Sequence, residues 1–144
     1  MITNADITIF NKVYNAAARR NDYKGTFIQG VSFVKRNAVL GLDNSSGSLT
    51  QGDTYTIRIP LKATTASGKA YQTYLDAASF TGHEEGHWTI QNGDLIVKGD
   101  ATSLKDVSPA TIEKAYSDVC LVTDYSVNMD RGTKAVQHFR IGGK

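Results

Sequence analysis

Apolar and polar residues alternate with a period of two through most of this chain, and that alternation restricts the fold to β-sheet architecture. In Thr54–Pro60, Tyr55, Ile57 and Ile59 fall on one face and Thr54, Thr56 and Arg58 on the other. Pro60 has no N–H to give a ladder, so this strand is predicted to end there or to lie at an edge. Thr26–Val34 is a longer run, with Phe27, Val31 and Phe33 read as its core face and Arg36-Asn37 as the turn after it. Ile7–Phe10, Val39–Leu42, Trp88–Gln91, Asp94–Lys98, Val119–Thr123 continuing to Val127, and Val136–Ile141 supply further β-rich runs. Asn92-Gly93 separates two of them, the strongest short-range signal for a hairpin with a type I′ turn.

About seven such runs divided by turn residues predict an all-β domain, a small β-barrel or sandwich with long projecting loops. Helical signals are few. Asn15–Arg20 is compatible with one or two turns. Ser108–Tyr116 is the better case and predicts one short helix, with Ser108 as cap and Pro109 at the first helical position. Residues 43–53 read as a polar Gly/Ser loop. Residues 61–87 form a 27-residue interval too long for an inert connection, so local structure or a functional projection is expected there. Gly142-Gly143 reads as a mobile tail.

Length and composition narrow the class further. At 144 residues a single domain, 1–144, is expected. One cysteine, Cys120, excludes an internal disulfide framework and a Cys-rich zinc site, and its apolar surroundings mark it as a packed thiol. No apolar run approaches the roughly 20 residues of a membrane helix, and Met1–Phe10 lacks the pattern of a secretory signal. A soluble, intracellularly made protein without membrane contact is expected.

The net charge of +2 is too small to predict nucleic-acid binding by itself, but it is unevenly spread. Residues 1–36 carry six basic residues against Asp6 and Asp22, whereas residues 37–144 carry ten basic and twelve acidic ones. Arg19, Arg20, Lys24, Lys35 and Arg36 are therefore the candidate contacts for DNA or for an acidic neighbouring subunit. Lys24, Lys35 and Arg36, interleaved with Tyr23, Phe27 and Phe33, would serve a small nucleic-acid-binding barrel if the aromatics lay exposed. Placement of Phe27 and Phe33 on the core face weighs against that alternative.

Reactive chemistry finds little footing. His83-Glu84-Glu85-Gly86-His87 matches the zinc-hydrolase spacing H-E-x-x-H, which works when a helix sets both histidines on one face. Gly82 and Gly86 bracket the segment, a β-rich run begins at Trp88, and His138 is the only other histidine, so an exposed polar loop is expected instead. The sequence holds no nucleophile elbow, phosphate loop or dinucleotide fingerprint. No catalytic residue, metal site or cofactor is therefore assigned, and a non-enzymatic protein is expected.

Three segments carry a resemblance: Ile2–Lys12, Trp88–Gly99 and Gln137–Lys144. Together they resemble a family of short structural proteins encoded by tailed phages and prophages of Gram-positive bacteria, over nearly the whole chain. The resemblance implies a virion protein at the head–tail interface, or neck. The role implied is a head-completion or head-closure (stopper) subunit, which forms a homo-oligomeric ring, joins portal and adaptor to the tail and retains packaged DNA. Its implied partners are other copies of itself, the neck proteins on the portal/adaptor and tail-terminator sides, and packaged DNA in the channel. Tail terminator and minor capsid protein are the nearest alternatives. The chain departs from the family pattern at Asn15–Ala18 and in residues 76–87, and the family has no catalytic residues to carry over.

Overall fold

The computed structural model describes residues 3–42, 49–60, 63–67, 70–71, 73–83, 86–102, 109–128 and 137–144. In chain order the elements are β1 (Ala5–Asn15), β2 (Arg20–Leu42), β3 (Leu49–Pro60), β4 (Thr64–Ser67), β5 (Ala70–Tyr71), β6 (Thr73–Tyr74), α1 (Ala77–Phe80), β7 (His87–Trp88), β8 (Leu95–Lys98), α2 (Pro109–Ala115), β9 (Val119–Asn128) and β10 (His138–Gly143). The all-β expectation holds, with two short helices in place of one. Ser108, the expected cap of α2, lies outside the described residues. No described helix is long and apolar enough to cross a membrane.

Six strands close on themselves. β1 pairs with β8, β8 with β9, β9 with β10, β10 with β3, β3 with β2, and β2 with β1, every pair antiparallel. Closure needs strands long enough to serve two neighbours in turn. β2 pairs with β1 as far as Val31 and with β3 from Ser32 onward. β9 pairs with β8 over Val119–Leu121 and with β10 over Val122–Asn128. A ring of this kind removes most of the open sheet edge that a flat sheet would expose.

The turn of β2 from one half of the barrel to the other is made at Gly30. Asp6 lies opposite Gln29 and Ala5 opposite Val31, so Gly30 is the extra residue of a bulge, with φ at 79° and its N–H donated to Asp6 Oδ1 at 3.0 Å. Glycine is the residue that adopts this left-handed conformation at little cost. The bulge also shifts the phase of burial. Thr26 and Ile28 are buried before it, Val31 and Phe33 after it. Phe27 therefore lies on the face opposite Ile28, which corrects its assignment to one core face with Val31 and Phe33.

The barrel interior is filled from every wall by residues such as Ile9, Ile28, Ile57, Ile96, Val122 and Ile141, all buried. Each Ile- or Val-sized side chain taken out of water contributes roughly 1.5–3 kcal/mol. A second cluster, Phe10, Leu95, Val97, Ala101 and Ile112, lies on the outer side of β1 and β8 beneath α2. Leu95, Ile96 and Val97 are consequently all buried, as is Ile7–Asn11 of β1, whereas β3 alternates from Tyr55 to Ile59. Thr8 Oγ1 fastens this layer, donating to the Gly99 carbonyl at 2.8 Å and accepting from Ala101 N–H at 2.9 Å.

Several local expectations are corrected. Asn15–Arg20 is not helical: residues 16–19 turn the β1–β2 hairpin, in which Asn15 pairs with Arg20. Arg36-Asn37 is not a turn either, because β2 runs through it, held by Thr54 and Asp53 of β3. β3 begins at Leu49, inside the segment read as a loop, while 43–48 lie outside the described residues. Backbone pairing extends both strands past the point where side-chain alternation stops. The interval 61–87 contains local structure: β4 adds to β2, β5 to β4, and β6 pairs parallel with β7.

Asn92-Gly93 does turn the chain, with Gly93 at φ 92° and Asp94 N–H bonded to the Gln91 carbonyl at 3.2 Å, but the flanking runs do not form a hairpin. Only Arg19 among the described non-glycine residues has positive φ, so Asn92 does not take the type I′ geometry. β7 pairs with β6, and β8 lies between β1 and β9. Gly142-Gly143 is no loose tail. Both belong to β10, opposite Thr56 and Tyr55 on one side and Asp124 and Val122 on the other. Lys144 adds two backbone hydrogen bonds to Leu121, at 3.0 and 3.1 Å.

Candidate functional site

Where the β1–β2 end of the barrel meets the segment after β7, polar groups are drawn into the interior. Period two continues from Ile7 and Ile9 to Asn11, which places an amide on the core face of β1. Asn11 is fully buried, and its side chain acts as a substitute strand: Oδ1 accepts from Thr89 N–H at 3.1 Å and Nδ2 donates to the Thr89 carbonyl. The same Nδ2 donates to Asp94 Oδ2 at 2.9 Å. Asp94 also accepts backbone N–H groups from Lys12 at 3.0 Å and Gln91 at 3.1 Å. Lys24, opposite Asn11 on β2, donates Nζ to the His87 carbonyl at 2.7 Å. These contacts tie residues 87–94 across the barrel end.

Burial pushes the Asp94 carboxyl up to about 6, against the opposing pull of its three hydrogen-bond donors. Burial likewise pushes the Cys120 thiol up to about 12, as a packed, unreactive sulfhydryl requires. Asp76 behaves in the opposite sense. Its carboxylate caps α1, and the hydrogen bond from Ser79 holds it below the usual range. Beside the barrel end lies a groove of about 330 Å³, lined by Lys12, Val13, Tyr14, Asn21, Phe80, Thr81 and Gln91.

The five basic candidates do not form one patch. Arg19 sits in the β1–β2 turn with φ at 54°, and Arg20 at the start of β2 is ion-paired with Asp22 at 3.2 Å. Lys24 is occupied at the His87 carbonyl. Lys35 and Arg36 lie on the other half of β2, beyond the Gly30 bulge. Lys35 pairs with Asp118 at 3.4 Å and rests over the Tyr55 ring, with Nζ 5.8 Å from its centroid. Phe33 is buried against Tyr55, with Lys98 Nζ 5.7 Å from its ring centroid, so its ring is not displayed for a base to stack on.

The histidine motif is not carried on a helix. His83 follows the turn after α1, Gly86 takes φ 78°, and His87 begins β7 with ring Nδ1 3.0 Å from the His83 carbonyl oxygen. Glu84 and Glu85 lie outside the described residues. Among the described residues no group of three or more His, Cys, Asp or Glu is placed to hold a metal ion.

Two surface features escaped the sequence reading. Arg58 of β3 lies between Ser32 of β2 and Arg140 of β10, and Arg140 in turn lies opposite Ser126 of β9, so the register sets two arginines directly across from each other on the outer face. Like charges in that position repel. The last six residues of β9 are all exposed. Neither feature has a local sequence signal, because each depends on which distant strand is the neighbour.

Fold and surface together define a closed antiparallel β-barrel with projecting hairpins. The chain belongs to a family of unknown function, DUF6751, whose model matches residues 2–144. Neither a curated protein nor a solved structure matches it.

Proposed function

We propose that this protein is a non-enzymatic virion subunit of the phage neck, a head-completion or stopper component that assembles as a ring between the portal/adaptor side and the tail. One observation carries the reading beyond the sequence resemblance. β1 follows β2 only to Val31, and β10 follows β3 only back to Tyr55, yet β2 and β3 go on pairing from Asn37–Asp53 to Leu42–Leu49. The barrel thus carries a two-stranded arm that contributes nothing to its own closed wall. A rigid body with such an arm suits a ring subunit, which has to reach neighbours above, below or beside it.

A second reading, a small nucleic-acid-binding barrel, draws support from the opposed Arg58 and Arg140 on the outer face. Electron microscopy of purified virions separates the two. A ring of this chain between portal and tail is the expected result. Finding the chain on the capsid shell or at the distal end of the tail would remove the neck assignment, and its absence from virions would favour the nucleic-acid reading.

A further inference from the structure

We propose that the outer half of β9, residues 123–128, takes up a strand from a second copy of this chain in a head-to-tail contact. The proposal rests on the ring reading above and names its interface. β8 accompanies β9 only as far as Leu121, with a final pair of backbone hydrogen bonds joining Val122 to Asp94 and Gly93 at 2.9 and 2.8 Å. Beyond that point β9 has β10 on one side and no strand on the other among the described residues.

Folded proteins blunt such edges with proline, lysine or a cover, or else pair them with another chain. Residues 123–128 (TDYSVN) contain neither proline nor lysine, and Asp124 is their only charge. The register shift near Gly142 and Gly143 bends the start of this edge without covering the rest. Five large apolar side chains are exposed among the described residues, and three of them, Leu121, Tyr125 and Val127, lie on β9. Unpaired backbone and uncovered apolar surface therefore coincide on one strand.

The complementary edge is on β2. Asn4 closes that edge up to Phe33 with three hydrogen bonds: its N–H to the Val31 carbonyl, its Nδ2 to the Phe33 carbonyl, and its Oδ1 from Phe33 N–H. From Val34 onward β2 has β3 on one side and no strand on the other among the described residues. This edge presents Val34, itself 45% exposed, followed by Lys35 and Arg36. An apolar strand bearing one acid thus faces an apolar position with Arg36 close behind it, Lys35 between them being paired with Asp118. Because the two edges differ, one copy offers β9 while accepting on β2, a heterologous contact that propagates into a ring.

Light scattering over a concentration series, combined with amide hydrogen exchange, tests this on the full chain. The expected result is concentration-dependent association, with amides in 123–128 gaining protection as it proceeds. Tyr125→Lys with Val127→Lys, both at exposed positions, should weaken association at least tenfold with an unchanged far-UV circular dichroism spectrum. Asp124→Arg should weaken it as well, and adding Arg36→Asp should restore it. A chain that stays monomeric at every concentration, an oligomer whose 123–128 amides exchange freely, or protection of β9 only by a different protein would overturn the proposal. Association through β9 by a chain absent from virions would remove the neck reading and leave the edge assignment standing. A neck ring in which β9 faces solvent would do the reverse.

Discussion

Asn11 and Thr89, 78 positions apart, are joined by two hydrogen bonds in which one side-chain amide replaces a whole strand partner. The arrangement satisfies both backbone groups of a buried residue that belongs to no ladder. Buried peptide groups left unpaired each cost about 1–3 kcal/mol. Asn11→Ala strands both groups and removes one of the two donors to Asp94 Oδ2. Urea unfolding should show a loss of about 3 kcal/mol, large for a single polar side chain.

Asp94 makes stability depend on pH in a sense opposite to that of most carboxylates. Its folded pKa, about 6, lies above the ordinary value of 3.8, so between those values the folded chain binds the extra proton. Stability from this group therefore falls as pH rises from about 4 to 6, with a slope of at most about 1.4 kcal/mol per unit. Denaturant titrations at pH 4.5 and 7 should show this component in the wild type and not in Asp94→Asn. The variant should also be less stable at both values, because the oxygens of Asp94 accept three N–H groups and an amide has only one oxygen to offer.

Gly30 isolates a conformational effect from a steric one. A Cβ added there meets nothing within 4 Å, yet φ is 79°. Gly30→Ala should cost about 1–2 kcal/mol through backbone strain alone. Thermal unfolding checks the value, and a neutral result would mean that the β2 bulge relaxes without penalty.

Gly143 presents the contrary case. A Cβ at this position would collide with Cys120 Sγ and the Leu121 carbonyl oxygen. Gly143→Ala should destabilise by about 1–3 kcal/mol, because a strand must shift to admit it. The gap between β10 and β9 that it opens should raise the reactivity of Cys120. In the wild type that thiol should resist alkylation near neutral pH until the chain is unfolded, since burial holds it protonated.

Much of the barrel was legible in the chain. Tyr55, Ile57 and Ile59 are buried on one face as their alternation requires, and Pro60 ends β3 opposite His138. Phe27 was misplaced because a bulge adds one residue without changing composition, and period-two reasoning cannot see the slip. Asn92-Gly93 supplied a turn but not a hairpin, because β8 finds better partners in β1 and β9, where Leu95 and Val97 are buried as well. The spacing of the histidines was visible and uninformative, since Gly86 denies them a helix.

What the sequence determined alone is the local code: strand-forming alternation, a short helix within Ser108–Tyr116 and the buried character of Cys120. Asn11 could have been marked too, as the one polar residue in step with Ile7 and Ile9. Tertiary structure decided the rest. It set Arg58 against Arg140, divided the five basic candidates between the β1–β2 end and the far half of β2, raised the Asp94 pKa by burial, and left β9 with an open edge among the described residues. The reason is physical: alternation reports which face of a strand meets the core, whereas charge environment and edge exposure depend on which strand lies alongside. That neighbour is chosen by long-range register, and in this barrel by two strands that each change partners midway.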